Sequence, residues 1–349
     1  MKDHFNRFPM IDAFKAIASQ LIVLHHLAAY GPISDAVQQI APSLITWLYD
    51  YARMAVQIFF VIGGYLAARS VLNYGNSMRH LKVNLTNRYL RLVIPFFFAL
   101  MLAVICAMIA RNIVDHEFIP DFPKLSQFLS HVFLLQGVLD VDSLLAGAWF
   151  IAVDFQLFFV MLCISWLGGK AANSKQAILI IITLTAASSL FWFNRHERYD
   201  DWAIYFFGAY GMGAIAYYAG QLEHSNAWLW LNITIAMTAI LIDFRLRILI
   251  AALTALALFF TRNMQIKEHV KQQRLIHYLG SISYALFLVH FSVLMLTNAI
   301  FSWLNLTNSW LACIFMLLTW AISLILADFF HRKVEKPTTL YLKLKTQKK

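Results

Sequence analysis

Apolar residues fill long stretches of this chain, and polar residues are concentrated in short segments between them. A helix needs about 20 consecutive, mostly apolar residues to cross a bilayer. Such stretches lie near residues 11–30, 52–72, 92–110, 147–167, 177–193, 203–220, 227–242, 246–260, 278–298 and 309–328. This pattern predicts an all-α fold, a polytopic transmembrane helix bundle of about ten spans. Only residues 243–247 separate the seventh and eighth stretches, so the pattern leaves open whether residues 227–260 form two full spans.

The composition agrees with this reading. The 349 residues are 60% hydrophobic and 13% charged, and the mean hydropathy is +0.64. No polar stretch is long enough for a second domain, so we predict a single membrane domain over residues 1–349 with no appended soluble domain. Charges and histidines occur within the first apolar stretch, so we expect a retained span rather than a cleaved signal peptide.

The net charge of +10 arises from basic residues that are concentrated in particular connections. Residues 73–91, residues 261–277 and the tail after Asp328 are all rich in Lys and Arg. In a ten-span topology they fall on one side, which the positive-inside rule assigns to the cytoplasm together with both termini. Because the charge follows membrane topology in this way, we expect the lipid bilayer as a partner and no nucleic acid.

The first predicted span carries a stripe of polar residues. Asp12, Lys15, Ser19 and His26 share one side of a helix, because eleven residues make about three turns; His25 is adjacent. Lys15 and His26 are then roughly 16 Å apart, a spacing suited to two parts of one elongated ligand. Ionisable side chains are costly at membrane depth, so the stripe indicates function. Packing against other helices is the alternative.

Two later spans carry polar residues at a depth similar to that of His26. Asp154, followed by Gln156, lies in the fourth span, and His290 lies in the ninth, where Ser283 shares its face. A histidine can act as a general base toward a hydroxyl, and a carboxylate can orient the imidazole. The pattern does not show whether these residues meet.

Basic residues stand at the predicted cytoplasmic ends of two spans. Arg88 and Arg91 form an R-x-x-R before the third span, and Arg69 ends the second. Such residues can hold the phosphates of a donor, although anchoring by the positive-inside rule is the alternative. With the histidines they suit transfer of an acyl group from a phosphate-bearing carrier to an alcohol. They suit a proton relay in a transporter equally well.

Several patterns that would indicate other chemistry are missing from the sequence. There is no Walker loop, no H-E-x-x-H, no G-x-S-x-G and no Cys/His metal spacing, so we expect no metal and no tightly bound cofactor. Asp154 with Gln156 can equally form a polar bridge between helices. Ser283 and Tyr284 are residue types common at helix interfaces, which favours packing for both.

Six segments, spread over most of the chain and in the same order, resemble the motifs of acyltransferase family 3, integral membrane enzymes that O-acylate bacterial surface polysaccharides and related molecules. The segments are MIDAFKAIASQLIVLHH, FFVIGGYLAARS, NRYLRLVIPFF, GAWFIAVDFQLFFV, LGSISYALFLVHFSVL and FHRKVEKP. The first matches the family's basic residue and histidine at Lys15 and His26. The fourth matches its Trp and acid at Trp149 and Asp154, and the last matches the closing Glu-x-Pro at Glu335.

The resemblance implies an acyltransferase with ten core helices in the bacterial inner membrane. It implies an acyl-CoA co-substrate, for which we expect acetyl-CoA, reached from the cytoplasm, and an acceptor hydroxyl on a surface polysaccharide or lipid-linked sugar. His26 is the expected general base, with Asp154 or His290 orienting or assisting it. Donor binding is expected to involve Lys15, Arg69, Arg88 and Arg91. Supporting roles are expected for Asp12, His25, Trp149, Gln156, Ser283, Tyr284 and Glu335.

Three positions depart from the family pattern. Lys15 stands where Arg is more usual, Gly63 stands where Ser is frequent, and Asp154 is a single acid where many members have two. The alternative from a different class is a secondary transporter or exporter that uses the polar stripe as a proton or solute path. A structural membrane subunit is a third reading, but it leaves the six ordered motifs unexplained.

Overall fold

The computed structural model describes residues 9–74, 78–116, 119–221, 226–261 and 270–347. Within these ranges the long elements are all helices, and no strand occurs. The helices are α1 (Pro9–Ala29), α2 (Pro32–Gln38), α3 (Pro42–Tyr51), α4 (Val56–Tyr74), α5 (Met78–Ile113), α6 (Leu125–Val132), α7 (Ala148–Gly168), α8 (Ser174–Phe191), α9 (Ala203–Gln221), α10 (Asn226–Ile242), α11 (Leu246–Thr261), α12 (Val270–Trp303), α13 (Ser309–Phe330) and α14 (Lys336–Gln347). A π-helical turn, His331–Glu335, joins the last two.

Each of the ten predicted spans coincides with a helix, which confirms the all-α prediction. In the described part of the chain, six helical segments are long and apolar enough to cross a membrane. They are Pro42–Val71, Met78–Ile113, Ala148–Gly168, Ser174–Arg195, Arg274–Trp303 and Ser309–Lys345. α1 with α2 makes a seventh if this bent pair is one span, whereas α10 and α11 are shorter apolar helices. The chain is therefore an all-helical, multi-pass membrane protein.

Two helices begin earlier than the hydropathy pattern predicts. α5 begins at Met78 rather than near residue 92, and α12 begins at Val270 rather than near residue 278. The basic segments that were expected to be connections are therefore helical over much of their length. Hydropathy reports only the apolar part of a helix, and these polar extensions contain no Gly or Pro to end one. Residues 75–77 and 262–269 of the predicted connections lie outside the described residues.

The chain divides into two compact units, each drawn from three stretches. Unit 1 comprises Met1–Ala16, Val56–Thr86 and Val153–Gly280. Its central element is α9, which packs against α4, α8, α10 and α11. Residues 205–219 of α9 are all buried. A helix that is apolar all round belongs in the interior of a bundle, and α9 has this position in unit 1.

Glycines allow α4 and α9 to approach each other at backbone distance within unit 1. A Cβ added at Gly64 of α4 would overlap the carbonyl oxygen of Tyr210 in α9. A Cβ added at Gly213 of α9 would overlap the carbonyl oxygen of Val61 in α4. Small residues at a helix crossing permit this spacing in membranes, where close van der Waals packing drives association. The two helices therefore require glycine on both sides of their contact.

Unit 2 comprises Ile17–Ala55, Asn87–Ala152 and Ser281–Lys349. In this unit the chain turns by 88° between α1 and α2, at Gly31, whose φ is +86°. Pro32 then starts α2, because its fixed φ suits the first residue of a helix. A small apolar core forms beneath the turn. It consists of Ala28, Ile33, Ala36, Val37, Ile45, Leu48, Ala52, Phe301 and Ala312.

Candidate active site

The polar stripe of α1 faces the protein interior. Ser19 and His26 are buried, and Asp12 and Lys15 are half-buried, whereas Ile17 is 56% exposed. Apolar side chains are favoured on the lipid-facing side of a membrane helix, and ionisable ones face the interior of the bundle. α1 is therefore oriented with its polar side toward the protein interior and its apolar side toward the outside.

His26 of α1 and His290 of α12 are in direct contact within unit 2. The distance from Nδ1 of His26 to Nε2 of His290 is 2.7 Å. The two ring planes differ by only 5°, with centroids 4.9 Å apart. Face-to-face rings would keep their atoms about 3.5 Å apart, so the short nitrogen distance means that the rings meet edge to edge. The contact is an in-line hydrogen bond between two imidazoles.

The partners of His290 determine which nitrogens carry protons when both rings are neutral. Nδ1 of His290 lies 2.9 Å from the carbonyl oxygen of Leu286, which can only accept a hydrogen bond. Nδ1 of His290 is therefore the protonated nitrogen, and Nε2 is an acceptor. His26 must then donate from Nδ1, which leaves its own Nε2 unprotonated. The arrangement makes Nε2 of His26 the nitrogen that can take a proton.

The surroundings of the histidine pair distinguish its two members. His26 is 8% exposed and His290 is 2% exposed, so His26 is the more accessible ring. His25, on the next position of α1, lies 3.3 Å from the Leu48 carbonyl through its Nδ1. Its ring centroid is 5.8 Å from that of Tyr49. The contacts of His25 with residues 48 and 49 therefore indicate a role in holding α1 against α3.

Asp154 is a buried residue of unit 1, on α7. Its carboxylate lies close to Gly63, because a Cβ added at Gly63 would come 3.4 Å from Oδ1 of Asp154 and 3.0 Å from the Tyr210 ring. The absence of a side chain at Gly63 leaves the carboxylate and the tyrosine ring space beside α4. The catalytic role of Asp154 stays a prediction.

Gln156 bonds to the polypeptide that leads into α9. Its Nε2 donates to the carbonyl oxygen of Asp201 at 3.1 Å, and its Oε1 accepts from the backbone N–H of Ala203 at 2.9 Å. The first N–H groups of a helix have no partner within the helix, and Gln156 supplies one. Gln156 therefore forms a polar bridge between α7 and the start of α9. Such a bridge was one of the two interpretations of Asp154 and Gln156 in the sequence; a catalytic role was the other.

The other supporting residues of unit 2 lie on α12 and α7. Ser283 is buried, as expected for a residue on the same face as His290. The Tyr284 hydroxyl donates to the Leu92 carbonyl of α5 at 2.9 Å, so this tyrosine links two helices. Trp149 is 36% exposed near the start of α7, and its ring centroid is 6.2 Å from that of Phe150.

The four basic residues expected at the donor side belong to both units. Lys15 and Arg69 are half-buried residues of unit 1. Arg88 is half-buried and Arg91 is exposed, both on the long helix α5 within unit 2. Their role in donor binding stays a prediction.

Two further acids form pairs with histidines. Oδ2 of Asp12 lies 2.8 Å from Nδ1 of His277, which joins the first turn of α1 to α12 in unit 1. Oε2 of Glu335 lies 2.8 Å from Nδ1 of His331, four residues earlier in the π-helical turn. These contacts favour structural roles for both acids. No group of three or more His, Cys, Asp or Glu residues that could hold a metal ion occurs among the described residues.

Asn298 is a buried residue near the histidine pair that the motifs do not single out. Its Oδ1 accepts the N–H of Ile33 at 3.0 Å, and its Nδ2 donates to the carbonyls of Leu294 at 3.1 Å and Tyr30 at 3.4 Å. It thereby holds the end of α1 just beyond His26. The sequence signal that could have pointed to it is Gly31–Pro32, which marks a helix break that needs polar partners.

The fold and the site define a class of protein: a multi-pass helical membrane protein with a histidine pair suited to general-base chemistry. A family model described as an acyltransferase domain matches residues 8–328. The chain therefore belongs to acyltransferase family 3 and is a membrane acyltransferase. No match is found among curated proteins or among solved structures.

Proposed function

We propose that this protein transfers an acyl group, acetyl in the first place, from acyl-CoA to a hydroxyl of a surface polysaccharide or lipid-linked sugar. The polar stripe by itself suits transport as well as acyl transfer. Membership of the acyltransferase family supports acyl transfer. The histidine pair supports a hydroxyl acceptor, because an alcohol needs a base as it attacks a thioester. The proposed location is the bacterial inner membrane, with ten spans and both termini in the cytoplasm.

His26 is the general base in the proposed mechanism. The acceptor oxygen attacks the thioester carbonyl carbon while its proton passes to Nε2 of His26. The C–S bond then breaks, and the departing thiolate takes the proton from Nε2, which leaves an ester, free CoA and a neutral histidine. Positioned general bases typically contribute about 10² to 10⁴-fold to a rate.

His290 acts through His26 and is therefore a positioning residue. Its Nε2 accepts from Nδ1 of His26, which fixes both the orientation and the tautomer of the catalytic ring. When His26 becomes protonated, the same bond remains and supports the new positive charge, because the acceptor is a neutral lone pair. The Leu286 carbonyl keeps His290 in this state. Asp154 is proposed to assist in the reaction from α7.

The basic residues supply the donor side of the proposal. Lys15 in α1, Arg69 in α4, and Arg88 and Arg91 in α5 carry positive charge. The positive-inside rule assigns the side of the membrane nearest to them to the cytoplasm. Arg and Lys side chains form strong, charge-assisted bonds to phosphate oxygens, as recognition of CoA requires. No metal or tightly bound cofactor enters this reaction scheme.

The observation that carries the proposal is the hydrogen bond between His26 and His290 within a chain of this family. The test compares membranes with wild-type protein, His26→Ala and Ile17→Ala, a matched control on the exposed side of α1. We would measure acyl-CoA consumption and the added acyl mass on surface glycans. We expect transfer by wild type and Ile17→Ala, and a loss of at least about 10²-fold in His26→Ala. Retained acylation in His26→Ala would contradict the mechanism.

A further inference from the structure

The connection between α5 and α7 contains a helix whose polarity is the reverse of what water favours. In α6 the polar residues Ser130 and His131 are buried, with His131 fully inaccessible. The exposed side chains of α6 and its flanks are mostly apolar, and they include Phe122, Leu125, Leu129 and Phe133, of which Leu125 is 73% exposed. The exposed polar residues are Ser126 in α6 and Asp121 and Lys124 just before it. A helix beside water has its apolar side facing inward and its polar side facing outward. Because α6 has the opposite arrangement, its outer side suits an apolar environment.

Two buried side chains of this connection, His131 and Gln136, bond to backbone groups within it and at the start of α7. His131 donates from Nδ1 to the Gln127 carbonyl at 2.8 Å and accepts the Leu144 N–H at Nε2, at 3.1 Å. Gln136 donates from Nε2 to the Ala148 carbonyl at 2.9 Å. Irregular backbone at membrane depth needs such internal partners, because lipid supplies none. Of these three backbone groups, the Leu144 N–H lies outside the helices, and His131 supplies the partner that water would supply in an ordinary loop.

The apolar side of α6 continues a surface of α5. The rings of Phe97 on α5 and Phe128 on α6 meet edge to face, with centroids 5.8 Å apart. The Tyr89 hydroxyl of α5 donates to the Val132 carbonyl at 3.0 Å. α5 is a candidate membrane span, so its exposed apolar side chains face lipid. They include Phe97, Phe98, Met101 and Ile105.

We propose that residues 125–139, which include α6, are embedded in lipid, and that acyl chains of the bilayer cover the apolar side of α6. The reversed polarity of α6 and its continuity with the lipid-facing side of α5 favour this occupant, and His131 supplies the partner that the Leu144 N–H would lack in lipid. Asp121, Lys124, Asp140 and Asp142 are exposed and carry charges that are costly in hydrocarbon, so the segments on either side of residues 125–139 reach lipid headgroups or water.

The test uses spin labels on the full chain in bilayer nanodiscs of phosphatidylethanolamine and phosphatidylglycerol. Cys106, Cys163 and Cys313 are replaced by Ala, and single cysteines are introduced as Leu125→Cys and Phe133→Cys. Phe98→Cys serves as the lipid reference and Asp140→Cys as the polar reference. Oxygen concentrates in the hydrocarbon and a nickel chelate in water. We expect the oxygen-to-nickel accessibility ratio at Leu125 and Phe133 to match Phe98 and to exceed Asp140 several-fold.

Two results would overturn the proposal. A ratio at Leu125 and Phe133 equal to that at Asp140 would mean that α6 faces water. Low accessibility to both reagents, with dipolar broadening between labels, would mean that a second copy of the chain covers it. A photoreactive benzoylphenylalanine at Phe133, in a chain that keeps its cysteines, provides a second measurement. Irradiation in the same nanodiscs should yield phospholipid adducts by mass, and adducts to protein alone would contradict the proposal.

Discussion

Asn298 accepts the backbone N–H of Ile33 across a sequence separation of 265 residues, and His26 meets His290 across a separation of 264. Within unit 2, α1 and α12 are thus aligned in parallel with an almost constant offset. α12 holds α1 at two points, directly at His26 and again just after the helix ends. We therefore expect the geometry of the histidine pair to depend on Asn298 as well as on the two histidines themselves.

Removal of the Asn298 side-chain bonds should weaken both the fold and the reaction. Asn298→Leu leaves the buried N–H of Ile33 without a partner, which costs about 1–3 kcal/mol. We expect a lower thermal midpoint and a reduced kcat with little change in the KM for acyl-CoA. Ile300→Ala, on the exposed side of the same helix, is the matched control. An unchanged kcat in Asn298→Leu would show that the bend does not position His26.

Gly31 should tolerate no side chain, for two separate reasons. Its φ of +86° disfavours L-residues, and a Cβ would lie 2.5 Å from Oδ1 of Asn298. The backbone strain alone costs about 1–3 kcal/mol. We expect Gly31→Ala to lower the thermal midpoint of the purified protein. Because the clash involves the Asn298 side chain, Asn298→Ala should recover part of the loss in the double variant. Simple additivity of the two losses would count against a direct contact.

Loss of His290 should be partly rescued by a replacement that keeps a hydrogen-bond acceptor for His26. His290→Gln retains a side-chain oxygen that can accept from Nδ1 of His26, whereas His290→Phe keeps a ring but offers no acceptor. We expect kcat to fall about 10²-fold in the Phe variant and by less than about tenfold in the Gln variant. The KM for acyl-CoA should be similar in both. Steady-state kinetics on detergent-solubilised protein would test this, with thermal midpoints measured in parallel.

An equal loss of kcat in His290→Gln and His290→Phe would contradict the positioning role. If both variants also melted earlier to the same extent, His290 would be a packing residue. A matched pair is informative here because the two replacements differ mainly in the acceptor oxygen.

Much of the helical framework could be predicted from the sequence, because hydropathy reports the environment of each stretch directly. The orientation of α1 could also be predicted, since Ser19 and His26 share a face that must avoid lipid. The early starts of α5 and α12 could not, because polar helical extensions carry no hydropathy signal. Residues 78–91 have the composition of a connection and are nevertheless helical.

The contact between His26 and His290 lies beyond what sequence spacing determines. Spacing places residues on helix faces and at depths, but which helices adjoin depends on packing of the whole chain. The tautomer of His290 depends in addition on its contact with the Leu286 carbonyl, which only the structure shows. Asn298 was missed for a similar reason, since its partners at Tyr30 and Ile33 are distant in sequence.

Gly211 and Gly213 both lie in α9, but their replacement by alanine should affect stability differently, because only Gly213 contacts the backbone of α4. A Cβ at Gly213 would overlap the Val61 backbone, which cannot move without displacing α4. A Cβ at Gly211 would meet the Ala186 side chain at 3.2 Å, a tight but adjustable contact. We expect Gly213→Ala to cost about 1–3 kcal/mol from overpacking. In Gly211→Ala, the gain of about 0.5–1 kcal/mol from replacing a helical glycine should offset the tight contact. Equal thermal midpoints for the two variants would mean that α4 and α9 are not in backbone contact.

Asp154 and Gln156 are neighbours in one motif, yet they should respond to mutation in opposite ways. Among the described residues, Gln156 bonds to backbone groups at Asp201 and Ala203, so Gln156→Leu should lower the thermal midpoint and leave kcat per folded molecule nearly unchanged. Gln156→Glu keeps an acceptor for the Ala203 N–H and should lose less stability. Asp154→Asn is nearly isosteric, removes the charge and replaces one acceptor oxygen by an amide donor, so we expect it to keep most of its stability and lose at least about tenfold in kcat. The measurements are thermal unfolding and acyl transfer on the same preparations. If Asp154→Asn instead kept its kcat, the carboxylate beside Gly63 would be a packing element, and the assisting role proposed for it would be wrong.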